Sequence, residues 1–454
     1  MRQWLLLTAI AGVYAATQVG VIHRGDGRYF ALADALATRL SLNVAPMARA
    51  LGEAPPPGGV LRAGVPPGAA IATVPFRWAG LAAGNAGATG SFADLGAQIT
   101  VLAAACAMAS CVLLIYFACL EMGCRPKAAG YAAAAFGATT LAFPYGGRLA
   151  EPAFAAWTVV AFYYGYLRLR AGWDTPPQQL LLGASLMAAP LVSDLTLLCW
   201  PLFLFLMLIQ IKYLFRTKTA APLVIVPAFI GVILYAAHNT VTIGDPFVTA
   251  GGTLHISKLY DAYTSRKFTD GLLVLFFFPL DVLNALAAAV APPSKLFAAP
   301  AAGLLLASPH LLFALLGIFQ LRSEGLTRRP LYALLAIVAL WGFLAAGSEK
   351  PLLGLDRDAS VLLPVVALSF ILIGSFIDYH LMSMRAVILK PLLLVGFGWL
   401  AALSFHNAIA VVMNRTLTAP AAQVLFFSAR RAADAASGDD RYQGYCGVAL
   451  PDGR

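Results

Sequence analysis

The chain has 454 residues, of which 60% are hydrophobic and only 11% charged, with a mean hydropathy of +0.78. Soluble domains carry roughly a quarter charged residues, so this chain cannot solvate the surface of a soluble fold and is read as an integral membrane protein. Its formal charge of +10 lies largely in short loops, as membrane topology demands, and no basic run with interleaved aromatics offers a groove for nucleic acid, which is excluded as a partner. Only helices and closed barrels satisfy their backbone groups in lipid. The apolar runs here are long and continuous, which points to helices. Of the six cysteines, Cys106, Cys111, Cys119 and Cys199 lie in apolar runs, Cys124 at the edge of one and Cys446 near the end of the chain. No CxxC or Cys/His cluster appears, which excludes structural zinc and a disulfide framework.

In chain order, the first element is an uncharged run from Trp4 to Ile22. Arg2 and the small stretch Tyr14-Ala15-Ala16-Thr17 fit a secretory signal loosely, but the run approaches the ~20 residues of a full crossing and reads as an uncleaved first span. A long loop, 23–95, follows. Within it GRYFALADALATRL (27–40) places Tyr29, Leu32, Ala33, Leu36 and Leu40 on one helical face, which predicts a helix lying along the membrane surface. APPPGGVLRAGVPPGAA (54–70) reads as loop. Further spans fall near 96–119, 128–144, 152–168, 178–192, 194–211, 221–238, 303–320, 330–347, 360–379 and 391–412, about eleven with the first. A second long loop, 239–302, contains GLLVLFFFPLDVLNALAAAV (271–290), apolar enough to touch lipid. Asp281 and Asn284 within it favour a re-entrant or interfacial helix pair. Residues 1–413 thus form the membrane domain and 414–454 the tail, of which 430–454 reads as polar and loosely ordered.

Lys and Arg set the orientation. With Arg2 inside, the inner loops hold Arg125 and Lys127; Arg168 and Arg170; Lys212, Arg216 and Lys218; Arg322, Arg328 and Arg329; and Arg385 and Lys390. Every inner loop is then basic. The N-terminus is expected in the cytoplasm, and the segments 23–95, 239–302 and 414–454 outside.

Several outer stretches, in order, resemble the GT-C superfamily of membrane glycosyltransferases, in particular the protein mannosyltransferase-like and aminoarabinose-transferase-like bacterial enzymes. They are GDGRYFALADALA (25–37), FPYGGRLAEPAFAAWTVVAFYYGYLRLR (143–170), LLLGASLMAAPLVSDLTLLCWPLFLFLMLI (180–209), HNTVTIGDPFVTAGG (238–252) and LDRDASVLLPVVALSF (355–370). The first loop departs from many relatives in carrying a lone Asp26 where two adjacent acids are usual. The resemblance implies an all-α, polytopic, GT-C-like fold. It also implies a polyprenyl-phosphate-linked sugar as donor, a glycan, lipid or protein as acceptor, and a site at the outer face of a bacterial inner membrane. A divalent metal, Mg or Mn, is the one cofactor left open.

Such a reaction needs a base for the acceptor hydroxyl and positive charge for the departing phosphate. Asp26, flanked by glycines, is the leading base or metal ligand; its plainer reading is an N-cap of the helix that follows. Asp34, eight residues on, reads as solvated face. Glu151 is the second acid, ahead of Pro152 at a helix start; its plainer role is to complement the helix dipole. Arg148 and Arg357 lead the candidates for phosphate, followed by Arg24, Arg28, Lys258, Arg266 and Lys267; singly, each also reads as part of a surface ion cluster. Tyr29, Asp245 and Asp194 are expected to line the substrate cavity, although Asp194 reads more simply as a cap of the next helix. His23, His238 and His255 receive no role, while His310 and His406 are expected to pack or bond between helices. Trp157, Phe162, Tyr163, Tyr164 and Tyr166 read as an interface belt. The competing functions are a transporter or lipid flippase, against which stands the lack of two similar halves, and a catalytically degenerate scaffold.

Overall fold

The computed structural model describes residues 2–16, 24–47, 61–83, 95–172, 175–215, 220–248, 308–323, 328–347, 359–383 and 389–415. No strand forms among them; an isolated antiparallel bridge joins Asn43 and Arg62. Each expected span coincides with a helix. These are α1 (Arg2–Ala16), α4 (Leu95–Glu121), α5 (Pro126–Thr139), α7 (Glu151–Ala171), α8 (Pro176–Val192), α9 (Asp194–Ile209), α11 (Ala220–Ile243), α12 (Leu312–Ser323), α13 (Arg328–Gly347), α14 (Leu363–Phe376) and α15 (Leu389–Arg415). Also described are the short helices α6 (Ala142–Gly146) and α10 (Ile211–Leu214) and, between α1 and α4, the helices α2 (Arg24–Arg39) and α3 (Pro67–Ala83). Among the described residues, four helices are long and apolar enough to cross a membrane: Gly96–Glu121, Ala221–Ile243, Arg328–Ala346 and Leu363–Ser383. The chain is a multi-pass helical membrane protein. The segment 271–290 and the tail beyond Arg415 lie outside the described residues.

Proline marks where several helices begin. α5, α7, α8 and α14 carry one in their first two positions, where the missing N–H has no helical partner to lose. Gly172 closes α7 in the left-handed region at φ 80°, its N–H meeting the carbonyls of Arg168 and Leu169. Small residues set the helix spacing. A Cβ on Gly183 would come within 2.1 Å of the Leu223 carbonyl, and one on Gly231 within 2.4 Å of that of Met187, so α8 and α11 touch backbone to backbone.

α7 is the central helix, flanked by α4, α8 and α14. Phe162, Tyr163, Tyr164 and Tyr166 are therefore core and not an interface belt, while Trp157 is half-buried. Phe162 and Tyr163 are fully buried and Tyr166 nearly so. The Tyr163 hydroxyl donates to the Pro330 carbonyl, and the Gln210 amide donates to the Tyr166 hydroxyl. His310 bonds Ser404 across helices and packs on Phe370 and Phe397, as expected; the His406 side chain lies outside the described residues.

Charge separates the two ends of the bundle. One end holds the pairs Arg125–Asp378 and Arg168–Glu121, all residues of the basic loops or their flanks. The other holds Arg148 and Glu151. Glu151 and Arg168 stand at opposite ends of α7, roughly 25 Å apart at ~1.5 Å per residue.

The segment between α1 and α4 folds differently from its sequence reading. α2 begins at Arg24, and residues 29–35 are all buried, because α3 covers the helix. It does not lie along a surface with one face in water. α3 starts inside the stretch read as loop, which ends at Val65 and Pro66. Asp34 is not solvated either: it is 8% exposed and paired with Arg77 of α3, which is 2% exposed. Leu40 does not join the buried face. At 88% exposed, with φ 49°, it takes the left-handed position after α2, and the Ser41 N–H reaches back to the Ala35 carbonyl.

Candidate active site

The site grows from the start of α7. Ala150, the residue before the helix, is extended and offers no side-chain cap, so Glu151 is the first helical residue. Its carboxylate stands in the first turn, where the helix dipole favours negative charge, and it also makes a tertiary bond. The Tyr29 hydroxyl of α2 donates to Glu151 Oε2 at 3.0 Å, across 122 residues of sequence. Tyr29 is 5% exposed, so this bond lies where α2 meets the bundle.

α6 positions the neighbouring cation. Gly146 sits directly on the ring of Tyr14, where a Cβ would come within 2.6 Å, and the Tyr14 hydroxyl donates to the Gly137 carbonyl at 2.9 Å. α1, α5 and α6 are thereby locked together, and the chain emerges from α6 into Arg148. That residue is buried, its guanidinium carbon 5.2 Å from the Tyr145 ring centroid and its Nη1 3.5 Å from the Tyr145 hydroxyl. A buried guanidinium is costly unless charge or hydrogen bonds compensate it, and Arg148 stands three residues before Glu151. Arg28, half-buried beside Tyr29, lies against Gly64; a Cβ there would sit 3.3 Å from Arg28 Nη1. Gly64 has φ +62°, which favours a residue without a side chain.

The structure thus brings Tyr29 onto Glu151, with Arg148 and Arg28 as neighbours in the chain. Asp26 belongs to the first turn of α2, three residues before Tyr29, a spacing that shares a helical face. Because α2 starts at Arg24, Asp26 is inside the helix and is not its N-cap. The side chains of Asp26 and Arg24, together with Arg357, Lys258, Arg266 and Lys267, lie outside the described residues. Asp194 is the first residue of α9 and not its cap. That role falls to Ser193, whose hydroxyl accepts from the Thr196 N–H while the Thr196 hydroxyl accepts from the Ser193 N–H. Asp245 is engaged in its own loop, where Oδ1 accepts from the Phe247 N–H at 2.8 Å just after Gly244 at φ +89°.

A hard divalent cation takes several oxygen ligands. Among the described residues no group of three His, Cys, Asp or Glu side chains converges, and the side chain of Asp26, the expected ligand, lies outside them. Sequence reasoning missed Tyr145, which lay unremarked in FPYGGR, and Arg77, whose one signal was a cation in the otherwise apolar run of α3. Chemically, the arrangement offers a carboxylate held by a phenol, with guanidinium groups nearby, at one end of a membrane bundle.

No family model and no curated protein matches the chain. Solved structures do match. The crystal structure of ArnT from Cupriavidus metallidurans in the apo state is 12% identical, with a TM-score of 0.49, over 96% of this chain and 78% of that one. The same protein bound to undecaprenyl phosphate is also 12% identical, with a TM-score of 0.46, over 96% and 79%. ArnT is an aminoarabinose transferase of the GT-C superfamily, the group that the sequence resembles. At this identity the likeness says nothing of the chemistry.

Proposed function

We propose that the chain is an inverting glycosyltransferase. It would move a sugar from a polyprenyl-phosphate donor to a glycan, lipid or protein acceptor at the outer face of the bacterial inner membrane. The observation that carries this reading is the Tyr29–Glu151 hydrogen bond. It joins the helix bearing Asp26 to the helix start that follows Arg148, so acid and base groups meet at one end of the bundle. In the proposed step the acceptor hydroxyl attacks the anomeric carbon from the face opposite the phosphate. The sugar–phosphate C–O bond breaks, its electron pair leaves on the polyprenyl phosphate, and the hydroxyl proton passes to a carboxylate. Asp26 is assigned as that base. Glu151, held by Tyr29, aligns the acceptor or shares the proton. Arg148 and Arg28 stabilise the departing phosphate, with Arg24, Arg357 and Lys258 as further cations. Tyr29 lines the sugar cavity, with Asp194 and Asp245 toward its rim. The lipid carrier assigned here is of the class bound in the second ArnT structure.

The test is photo-crosslinking of the full chain in nanodiscs with a polyprenyl phosphate carrying a diazirine near its head group. Adducts are expected on α2 and on the 145–155 stretch, and Arg28→Gln should reduce them several-fold. Adducts confined to the opposite end, around Arg125 and Arg168, would refute the placement.

A further inference from the structure

α3 has two faces of opposite environment. Ala69, Ala70, Thr73, Arg77 and Gly80 are buried, where the helix packs on α2 and α4. Ile71, Ala72, Pro75, Trp78, Ala79 and Ala82 are exposed, recur at helical spacing and carry no charge. Ile71 is 42% and Trp78 54% exposed. The one polar atom among these six side chains, Trp78 Nε1, donates to the Ala37 carbonyl at 3.0 Å, so what Trp78 presents outward is apolar ring. An apolar face of this length is not left in water without a reason.

Close contacts fix where the face lies along the bundle. Glu121 of α4 pairs with Arg168 of α7 at the end remote from Glu151. Measured from that pair at ~1.5 Å per residue, Glu151 lies ~25 Å up α7 and Gly96 ~37 Å up α4. A Cβ on Gly80 would meet the Gly96 carbonyl at 2.3 Å, so Gly80 lies at the level of Gly96, ~12 Å beyond Glu151. On the other side, a Cβ on Gly165 of α7 would meet Leu182 of antiparallel α8 at 2.9 Å. From that contact Leu191 lies ~14 Å up α8 and Glu151 ~21 Å up α7, which leaves Leu191 ~8 Å short of Glu151. A Cβ on Gly68 would come within 2.8 Å of the Leu191 carbonyl. Gly68 and Gly80 are thus separated by ~20 Å along the bundle, close to the ~18 Å that this stretch of helix covers. α3 runs antiparallel beside α4, dips below the level of Glu151 and does not lie across the end of the bundle.

We infer that the exposed face of α3 is inserted among the lipids of one leaflet, with Trp78 at the headgroup level and Glu151 ~9 Å nearer the bilayer centre. Tryptophan favours the interface between headgroups and acyl chains. Ile71, ~10 Å further along the helix, reaches the acyl chains, about the depth to which an interfacial apolar face is buried. At the depth of Ala70 the neighbouring span α4 exposes Cys106, so the apolar exterior of the bundle extends beside α3. The membrane-facing role expected of α2 belongs to α3, and α2 is the helix that it covers. This placement does not rest on the glycosyl-transfer reading.

The test uses the full chain in phosphatidylcholine nanodiscs. Benzoylphenylalanine is placed at Ile71 or at Ala79, both exposed, and irradiation should give covalent phosphatidylcholine adducts at each position, read by mass spectrometry. In a second measurement the emission of Trp78 is the difference between the unaltered chain and Trp78→Phe. Lipid brominated near the glycerol should quench that emission at least about twofold more than lipid brominated at the chain end, as an interfacial depth demands. Adducts to a second copy of the chain in place of lipid would make this face a contact between chains and overturn the inference. Absence of lipid adducts at both positions, or emission that neither bromine quenches, would overturn it as well. Stronger quenching from the chain end would contradict the depth assigned to Trp78 and to Glu151.

Discussion

Replacing Arg77 by methionine removes one partner of a buried ion pair. In the structure Arg77 Nε lies 2.8 Å and Nη2 2.7 Å from Asp34 Oδ1, and the guanidinium also stands 5.0 Å from the Phe30 ring centroid. Asp34 is 8% and Arg77 2% exposed, so water does not replace the lost cation. Stranding one charge of such a pair costs about 3–5 kcal/mol. Arg39, 3.9 Å from the other Asp34 oxygen and partly exposed, offsets a fraction. The expected loss is therefore about 3 kcal/mol for Arg77→Met. Asp34→Leu alone should cost a similar amount. The double variant should recover most of it, because an apolar pair of similar volume loses no charge. Denaturant titration in mild detergent measures all three. Trp78 is the natural reporter, since its indole N–H donates to the Ala37 carbonyl between the same two helices. A cost below about 1 kcal/mol for Arg77→Met, or a double variant as unstable as the sum of the singles, would refute the reasoning.

Tyr29→Phe removes the bond to Glu151 while keeping the ring. It should lower the transfer rate about ten-fold, an effect of ~1–2 kcal/mol, with little change in stability, measured as kcat against unfolding temperature. Gly183→Ala should destabilise by about 1–3 kcal/mol, because its methyl would meet the Leu223 carbonyl backbone; an unchanged denaturation midpoint would contradict the close α8–α11 contact. Leu40→Gly should stabilise by about 0.5–1 kcal/mol. It relieves a left-handed residue at the end of α2 against a smaller entropic loss, and a lower midpoint would argue against that conformation.

Runs of ~20 apolar residues announce spans without any tertiary knowledge, and so the positions of the long apolar helices were legible in the sequence. The proline at Pro152 marked one helix start, while Pro126 and Pro176 begin helices two residues ahead of the expected spans. The segment between α1 and α4 was less legible, because its structure is decided by a partner far along the chain. Asp34 looks like solvated face until Arg77, 43 residues on, is seen to cover it. The Tyr29–Glu151 bond links two residues that both stood out, yet nothing local says that they touch. The aromatics of α7 carried the composition of an interface belt, but its neighbours place Phe162, Tyr163, Tyr164 and Tyr166 in the core. Asp194 was expected to cap α9; the next residue back does so, a distinction that rests on backbone angles alone.

The central claim is that carboxylates on α2 and at the start of α7 transfer a sugar from a lipid phosphate. The most direct measurement follows a radiolabelled sugar from a polyprenyl-phosphate donor in membranes containing the full chain, its Glu151→Gln variant or its Asp26→Asn variant. The account predicts transfer by the unaltered chain with inverted anomeric configuration. It also predicts a loss of at least about a hundredfold in Asp26→Asn, the size expected for removing a general base, and a clear loss in Glu151→Gln at unchanged expression. Full activity in both variants, or a product with retained configuration, would contradict it.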